Sequence, residues 1–175
     1  MRIILFTILL CLSSFELFCQ KNDKHTLSFV SSLDAEIVVG RNENLTLESG
    51  EPFGFGVNGY LGLHFTRHLL LSLGSGIVKN YNNKFWAIPI ICDLKWFANP
   101  IGDESPYLFI NVGSYMNINN NFNSGNTAKI GFGFLIDLNK DKYYTLELFR
   151  YSRTFNDDPI NNLIGGFGLS FGIRL

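Results

Sequence analysis

The stretch from Phe53 to Thr66, FGFGVNGYLGLHFT, alternates between two kinds of side chain with a period of two. Its odd positions carry large apolar residues, with Gly59 as the one gap among them. Its even positions carry mostly glycine or polar residues. Successive side chains of a β-strand point to opposite faces, so a period of two is typical of a strand. The stretch therefore predicts a strand with one apolar face and one face of small or polar groups.

The same alternation recurs along the rest of the chain. It is found in Leu27–Val39, Leu69–Lys79, Phe85–Phe97, Tyr107–Ile118, Thr127–Leu138, Leu163–Leu175 and, less regularly, Tyr143–Arg153. No apolar run beyond the first twenty residues is long enough for a transmembrane helix. Eight strands of roughly 10–13 residues are instead close to the length that a tilted strand needs to cross a bilayer.

The connections between these segments alternate in character. Four are polar and rich in asparagine, namely RNENLTLESGEP, NYNNK, NINNNFNSGN and RTFNDDPINN. The others, around residues 66–68, 99–105 and 139–142, are shorter or tighter. Longer loops on one rim and shorter turns on the other are typical of outer-membrane barrels. If both termini are periplasmic, the Asn-rich connections face the outside of the cell.

An alternating barrel can also be a soluble lipid-binding cup whose apolar face points inward. The composition of the opposite face separates the two cases, because a soluble barrel hydrates its exterior with Lys, Glu and Thr. Here that face is mainly Gly, Ser and Asn, and only 17% of the chain is charged. We therefore predict an all-β fold, an eight-stranded antiparallel up-and-down transmembrane β-barrel with a narrow interior filled by side chains.

The charged residues on the polar face are predicted to form a network inside this lumen. Charges buried together in a narrow interior have to pair and share hydrogen bonds. The predicted members are Asp34, Glu36, His64, Asp93, Lys95, Lys129, Asp137, Glu147 and Arg174. Aromatic residues near the strand ends are predicted to lie at the membrane–water interface; these are Trp86, Trp96, Tyr107, Tyr143 and Tyr144.

Two positions are expected to depart from regular strand pairing. Pro89 lacks the N–H group that a strand donates, so a bulge or a distorted register is predicted there. Arg150 lies three residues after Glu147, which puts the two on opposite faces of a regular strand. Either a bulge near Phe149 returns Arg150 to the lumen, or its charge faces lipid near the rim.

The N-terminus, MRIILFTILLCLSSFELFCQ, has one basic residue followed by a short apolar run from Ile3 to Leu12. This pattern indicates a secretory signal peptide cleaved near Cys19–Gln20, which divides the chain into a signal peptide (1–19) and an outer-membrane barrel domain (20–175). An uncleaved anchor and a lipoprotein modified at Cys19 are the alternatives; the bulky Phe18 argues against the second. Cys92 would then be the lone cysteine of the mature chain, without a partner for an intramolecular disulfide.

Several function classes find no support in the sequence. A formal net charge of −1 gives no electrostatic footprint for nucleic acid. No Ser/His/Asp arrangement, phosphate-binding glycine loop or metal-ligand spacing stands out, and the histidines are scattered. We therefore predict that the protein is not an enzyme and holds no cofactor or metal.

Three segments carry a resemblance to a known group. They are WAIPIICDLKWF (Trp86 to Phe97), SPYLFINVG (Ser105 to Gly113) and LELFRYS (Leu146 to Ser152). Together with the signal that ends in Gln, they resemble the small outer-membrane β-barrel proteins of Bacteroidetes, the PorT-like and "outer membrane protein beta-barrel domain" group. The resemblance implies the cell outer membrane of a Gram-negative bacterium, lipid contact, and insertion by the barrel-assembly machinery. The chain departs from the group at its end, Leu175, where an aromatic residue is commoner; Phe171 is the nearest aromatic.

Three functions fit a barrel of this kind. The first is a structural or surface-interaction role, in which a filled barrel presents Asn-rich loops to an external partner. The second is transport through a narrow pore. The third is a periplasmic lipid-binding barrel. An eight-stranded lumen leaves little free space once side chains fill it, which favours the first over the second.

Overall fold

The computed structural model describes residues 28–42, 53–80, 85–100, 104–118, 124–139, 142–155 and 163–175. They form eight antiparallel strands that close into a barrel, each strand pairing with its neighbours in sequence and β1 with β8. The strands are β1 (Phe29–Asn42), β2 (Phe53–His64), β3 (Leu69–Asn80), β4 (Phe85–Phe97), β5 (Ser105–Asn117), β6 (Gly125–Asn139), β7 (Lys142–Phe155) and β8 (Leu163–Arg174). The predicted fold class is confirmed. No helix in these described ranges is long and apolar enough to span a membrane.

The apolar face of each strand is the outside of the barrel. In β2 every even position from Gly54 to His64 is buried, while Leu61 on the other face is 73% exposed. The same pattern continues around the wall; exposed examples are Leu33, Leu73, Ile90, Ile110, Phe132, Leu146 and Leu169. A continuous exposed apolar surface of this kind is suited to lipid and not to water.

Glycines on the inner face make room for aromatic rings of the neighbouring strand. Gly74 pairs with Tyr60, Gly133 with Tyr107, and Gly168 with Phe149. A Cβ atom at any of the three glycines would collide with the ring opposite. The many inward glycines therefore allow large side chains to lie flat against the wall and fill the lumen.

Pro89 is accommodated without the bulge predicted from the sequence. The β3–β4 pairing has the same register before and after the proline, from Ser75↔Ile90 to Val78↔Ala87, so the predicted bulge is absent and the distortion predicted as its alternative is limited to a local loss of ladder pairs. The ladder is only interrupted between these pairs. The Ser75 hydroxyl donates a hydrogen bond to the carbonyl oxygen of Pro89 at 2.8 Å, which helps to hold the two strands together where backbone pairs are missing.

The two rims of the barrel differ in their connections. One rim, here called the terminal end, holds Phe29, Leu175 and the connections β2–β3, β4–β5 and β6–β7. The opposite rim, here called the loop end, joins β1–β2, β3–β4, β5–β6 and β7–β8. The four Asn-rich connections predicted from the sequence belong to the loop end and lie largely outside the described residues. The predicted signal peptide, 1–19, also lies outside them.

The predicted interface aromatics divide into two groups. Trp96 is exposed on the outer face, and Trp86 and Tyr144 are half-buried. Tyr107 and Tyr143 are instead buried inside the barrel, so their predicted interfacial position is wrong. Tyr143 has the same parity in β7 as the buried Glu147, and Tyr107 has the same parity in β5 as the buried Asn111. A position near the end of a strand therefore does not by itself place an aromatic residue at the membrane interface.

Candidate functional site: the charged interior

Eight of the nine residues predicted for the lumen network are buried inside the barrel. They are Asp34, Glu36, His64, Asp93, Lys95, Lys129, Glu147 and Arg174. They come from six strands, and the alternation of each strand aims them inward. Their contacts divide into three groups along the barrel axis.

Asp137 is the exception and requires a correction. It has the same parity in β6 as the inward-facing Lys129, but it is exposed. The pairing of β6 with β7 shifts register between Asp137 and Asn139, at the terminal end of the strand. Asp137 itself still pairs in register with the buried Tyr143, so its exposure follows from its position at the rim and not from a change of face. At that rim it does not join the interior charges.

Arg153 also belongs to the interior, although it is not among the residues predicted for the lumen network. Its side chain is only 1% exposed and is sandwiched by Tyr115 and Tyr151, with ring centroids 5.1 and 4.8 Å from Cζ. One Nη atom lies 3.7 Å from Glu36 Oε1. Arg153 is six residues after Glu147, an even separation that puts both on the same face. This parity predicts an inward side chain, but the less regular alternation of Tyr143–Arg153 obscures it.

The middle of the lumen holds a group that we call the Lys95 cluster: Lys95, Glu147, Asp93, Asp34 and Tyr107. Lys95 Nζ lies 2.5 Å from Glu147 Oε1 and 3.6 Å from Asp93 Oδ2. The Tyr107 hydroxyl donates to the same Glu147 oxygen at 2.8 Å. Asp34 lies within electrostatic range of Lys95 and adds a third carboxylate. One ammonium group therefore holds several carboxylates from different strands.

Toward the loop end lies a second group, the Glu36 cluster, formed by Glu36, Lys129 and Arg153. Lys129 donates a hydrogen bond to Glu36 Oε2 and forms an ion pair with it, while Arg153 approaches the other carboxylate oxygen. Lys129 also lies 5.1 Å from the ring centroid of Phe149. One carboxylate here serves two cations, the reverse of the Lys95 cluster.

At the terminal end, Arg174 and His64 close the interior. The Arg174 guanidinium hydrogen-bonds the imidazole Nε2 of His64. It also lies over the rings of Phe97 and Tyr143, at 5.4 and 6.0 Å from their centroids. Phe97 is fully buried. This group puts aromatic rings and a guanidinium across the barrel near the terminal rim.

The described interior holds equal numbers of acidic and basic side chains, and the cavity beside the Lys95 cluster is small. Four carboxylates (Asp34, Glu36, Asp93, Glu147) face four cations (Lys95, Lys129, Arg153, Arg174). A cavity of about 10 Å³ lies between the Lys95 cluster and the terminal end, which is room for about one water. No group of three His, Cys, Asp or Glu side chains is placed to hold a metal ion in the part of the chain that the structure describes. The arrangement ties strands together across the lumen and obstructs it.

Arg150 lies on the outer face of the barrel. It pairs in regular register with Ile130 on β6 and Phe167 on β8, with no bulge near Phe149. Its side chain is exposed. Of the two outcomes predicted from the sequence, the lipid-facing charge is therefore the one observed.

Comparisons with known proteins bear on the fold. No family model matches the chain, and no curated protein sequence matches it. Among solved structures it is similar to Neisserial surface protein A (NspA), with 15% identity and a TM-score of 0.63 over 86% of this chain and 99% of that one. The N-terminal β-barrel domain of Pseudomonas aeruginosa OprF matches with 17% identity and a TM-score of 0.48, over 82% and 97% of the two chains.

At this level of identity the likeness to NspA concerns the fold. The exposed apolar wall and the charged interior of the present chain are the independent physical evidence for membrane placement. Closed antiparallel barrels with this polarity are the architecture of outer-membrane proteins. The chain therefore has the fold of the small eight-stranded outer-membrane β-barrels, and its surface places it in an outer membrane.

Proposed function

We propose that the protein is a structural or surface-interaction protein in the outer membrane of a Gram-negative bacterium. In this proposal the barrel does not conduct; it anchors the loop-end connections outside the cell, where they meet an external partner. The observation that carries the proposal is the filled lumen. Ion pairs and aromatic rings from facing strands occupy the space across the lumen that a solute would need.

The obstruction has three levels, which supports the proposal over transport. Arg153 with its two tyrosine rings crosses the loop end, the Lys95 cluster occupies the middle, and Phe97 with Arg174 crosses the terminal end. A solute path would require all three to rearrange. Opening the middle would separate buried ions, which is unfavourable in a narrow low-dielectric interior.

Recordings in planar bilayers test the filled lumen. The purified protein is expected to give no stable unitary conductance in molar potassium chloride, whereas a large porin inserted under the same conditions gives clear steps. Folding of each sample is checked by the heat-modifiable shift on a gel. Stable unitary conductance from the folded barrel would overturn the non-conducting proposal and favour the narrow pore.

The third function, a periplasmic lipid-binding barrel, is less well supported. Such a barrel would place its apolar face inward around the lipid. Here the inward face holds eight charged groups, and Leu61, Leu73 and Phe167 are among the large apolar side chains exposed outside. Membrane fractionation distinguishes the two: we expect the protein in the outer-membrane fraction and not in the periplasmic extract.

The proposed orientation has its own test. In a Cys92→Ala background, Ser124→Cys at the loop end is expected to react with a membrane-impermeant maleimide on intact cells. Ala98→Cys at the terminal end is expected to react only after the outer membrane is permeabilised, because its rim faces the periplasm. Both positions are exposed. Labelling in the opposite pattern would refute loops that face outside.

The remaining parts of the proposal follow the sequence resemblance. The protein is exported through the signal peptide at 1–19 and inserted by the barrel-assembly machinery, with Phe171, the aromatic of β8 nearest the chain end, as the candidate for the insertion signal. Membership in the PorT-like group of Bacteroidetes is part of the same proposal. It includes no enzymatic activity, cofactor or nucleic-acid partner.

A further inference from the structure

A group of polar side chains interrupts the apolar exterior on β5, β6 and β7. It consists of Ser114, Asn126, Arg150 and Ser152, which we call the outer polar patch. All four side chains are exposed on the outside of the barrel. The Ser114 hydroxyl donates a hydrogen bond to Asn126 Oδ1 at 3.1 Å.

The strand register makes these residues neighbours. Ser114 is the direct cross-strand partner of Asn126, and Ser152 is paired with Ala128, which is two residues from Asn126 on the same face. Arg150 is two residues from Ser152 along β7. Positions related in these ways lie within reach of long side chains on one face of a sheet. The patch is therefore a row of neighbouring polar positions across three strands, in which Ser152 lies between Arg150 and Asn126.

The outer polar patch is surrounded by the exposed apolar residues of the barrel wall, which continue on its loop-end side. Arg150 is flanked in the ladder by Ile130 and Phe167, both exposed and apolar. Met116 on β5 and Ile118, directly after that strand, lie nearer the loop end than Ser114, and both are exposed apolar side chains. Ile118 donates its backbone N–H to the carbonyl of Trp86, an aromatic at the same rim. The lipid-facing surface thus continues past the patch.

The charge of Arg150 is not neutralised by a carboxylate in the described part of the protein. The ion pairs inside the lumen involve Lys95, Lys129 and Arg153, and none of them includes Arg150. A cation on the lipid face is unfavourable and is usually placed to meet a counter-charge or the headgroup region. Five residues separate Arg150 from the loop-end terminus of β7, about 12 Å for a strand tilted by ~45°. Its long side chain can extend toward the headgroups past Ser152.

We propose that the outer polar patch binds the phosphate group of a lipid in the outer leaflet. The planar guanidinium of Arg150 can donate two parallel hydrogen bonds to phosphate oxygens, and the Ser152 hydroxyl and Asn126 amide supply further donors. The acyl chains of the same lipid would lie along exposed apolar side chains below the patch, such as Leu148 and Ile130. The inference rests on the proposed orientation, in which the loop end faces the outer leaflet.

A second copy of the chain fits the patch less well. A closed dimer uses the same surface twice around a two-fold axis, so a dimer centred on Arg150 would bring the two Arg150 side chains toward each other. Like charges opposed across an interface are unfavourable. A phosphate supplies the opposite charge, and a lipid supplies it at the depth where Arg150 lies.

Native mass spectrometry of the full-length mature barrel can count the bound lipid. The protein is purified in detergent and mixed with lipid A, an acylated disaccharide phosphate, or with lipid A from which the phosphates have been removed. The variants are Arg150→Leu and Arg150→Lys. Lys142→Leu is the matched control, because it removes one exposed cation at the terminal end. The gel shift establishes that every variant is folded.

The wild type is expected to retain one phosphorylated lipid, and Arg150→Leu to retain it about tenfold less, as expected for loss of a charge-assisted hydrogen-bonded contact. Arg150→Lys is expected to retain an intermediate amount of lipid, since the lysine ammonium keeps the positive charge but cannot donate the two parallel hydrogen bonds of a guanidinium. Lys142→Leu should match the wild type, and dephosphorylated lipid should be retained weakly by all.

Equal retention by Arg150→Leu and wild type, or equal retention of both lipids, would overturn the inference. A dimer that is lost in Arg150→Leu without a change in lipid retention would assign the patch to a second copy instead. These readouts concern the exterior, so their failure is distinguishable from failure of the non-conducting lumen.

Discussion

Replacing Lys95 with methionine is expected to lower the free energy of unfolding by about 3–5 kcal/mol, as is usual when one partner of a buried ion pair is removed. Methionine preserves much of the volume of the lysine stem, so packing is largely retained. What is lost is the ammonium group that lies 2.5 Å from Glu147 and 3.6 Å from Asp93. The carboxylates of the Lys95 cluster would then lie together in the lumen without their central cation.

The measurement is urea-induced unfolding in lipid vesicles, followed by tryptophan fluorescence and the gel shift. The double variant Lys95→Met/Glu147→Gln should recover at least half of the loss, because the amide removes one charge and still accepts the hydrogen bond from Tyr107. Lys142→Met, an exposed cation at the terminal end, should change stability by less than about 0.5 kcal/mol. A loss below about 1 kcal/mol in Lys95→Met would contradict a buried ion pair at this site.

Placing a charge on the middle of the outer wall is expected to have the second-largest effect. Ile110→Arg should destabilise the barrel in vesicles by about 2–4 kcal/mol, because Ile110 is exposed on the lipid face near the centre of β5. Ile118→Arg, on the same side but at the loop-end rim, should cost about 0–1 kcal/mol. The difference between the two sites measures membrane depth and not the introduction of arginine as such.

The same unfolding assay in vesicles measures both variants. Reading the two in one assay removes any general effect of added positive charge. If Ile110→Arg and Ile118→Arg were equally neutral, the outer face would be in contact with water, and the periplasmic lipid-binding barrel would replace the membrane barrel. If both were equally costly, the apolar band would have to extend beyond Ile118, and the depth assigned to the outer polar patch would need to be increased.

The sequence alone predicts several features of the charged interior. The parity of Glu36, Lys95 and Lys129 within their strands predicted that they point inward, and the structure places them there. The same rule would have found Arg153, had its stretch been treated as a regular strand. Parity could not place Asp137, because parity gives the face of a strand and not the depth along the barrel axis. Asp137 pairs in register with the buried Tyr143, but it lies at the terminal rim, where its side chain is exposed.

The alternation within each strand does not predict which charged side chains pair with one another. Nothing in the order of residues shows that Lys129 pairs with Glu36, 93 residues away, or that Lys95 pairs with Glu147, 52 residues away. These partners meet across the lumen, and their meeting depends on the stagger of all eight strands. Pro89 also illustrates the limit: the missing N–H was foreseen, but the strands tolerate it by losing ladder pairs while keeping their register.

For the outer polar patch, too, the sequence predicts one part and only the tertiary structure gives the rest. The sequence left Arg150 with two alternatives, lumen or lipid, because one bulged residue exchanges the faces of a strand. The observed pairing of Arg150 with Ile130 and Phe167 places its side chain on the lipid-facing side of the barrel. Ser114 and Asn126 become its neighbours only when β5, β6 and β7 lie side by side.

By itself, the sequence determined that the chain forms strands with an apolar outer face and a small, polar inner face, because the period of two follows from the local geometry of the extended backbone. The composition of that inner face was enough to predict a barrel whose outside meets lipid. The tertiary structure alone decided which charges pair, that rings and ions obstruct the lumen, and that Arg150 stands on the outer wall. The physical reason is that these contacts depend on register and closure, which bring together residues that no local pattern relates.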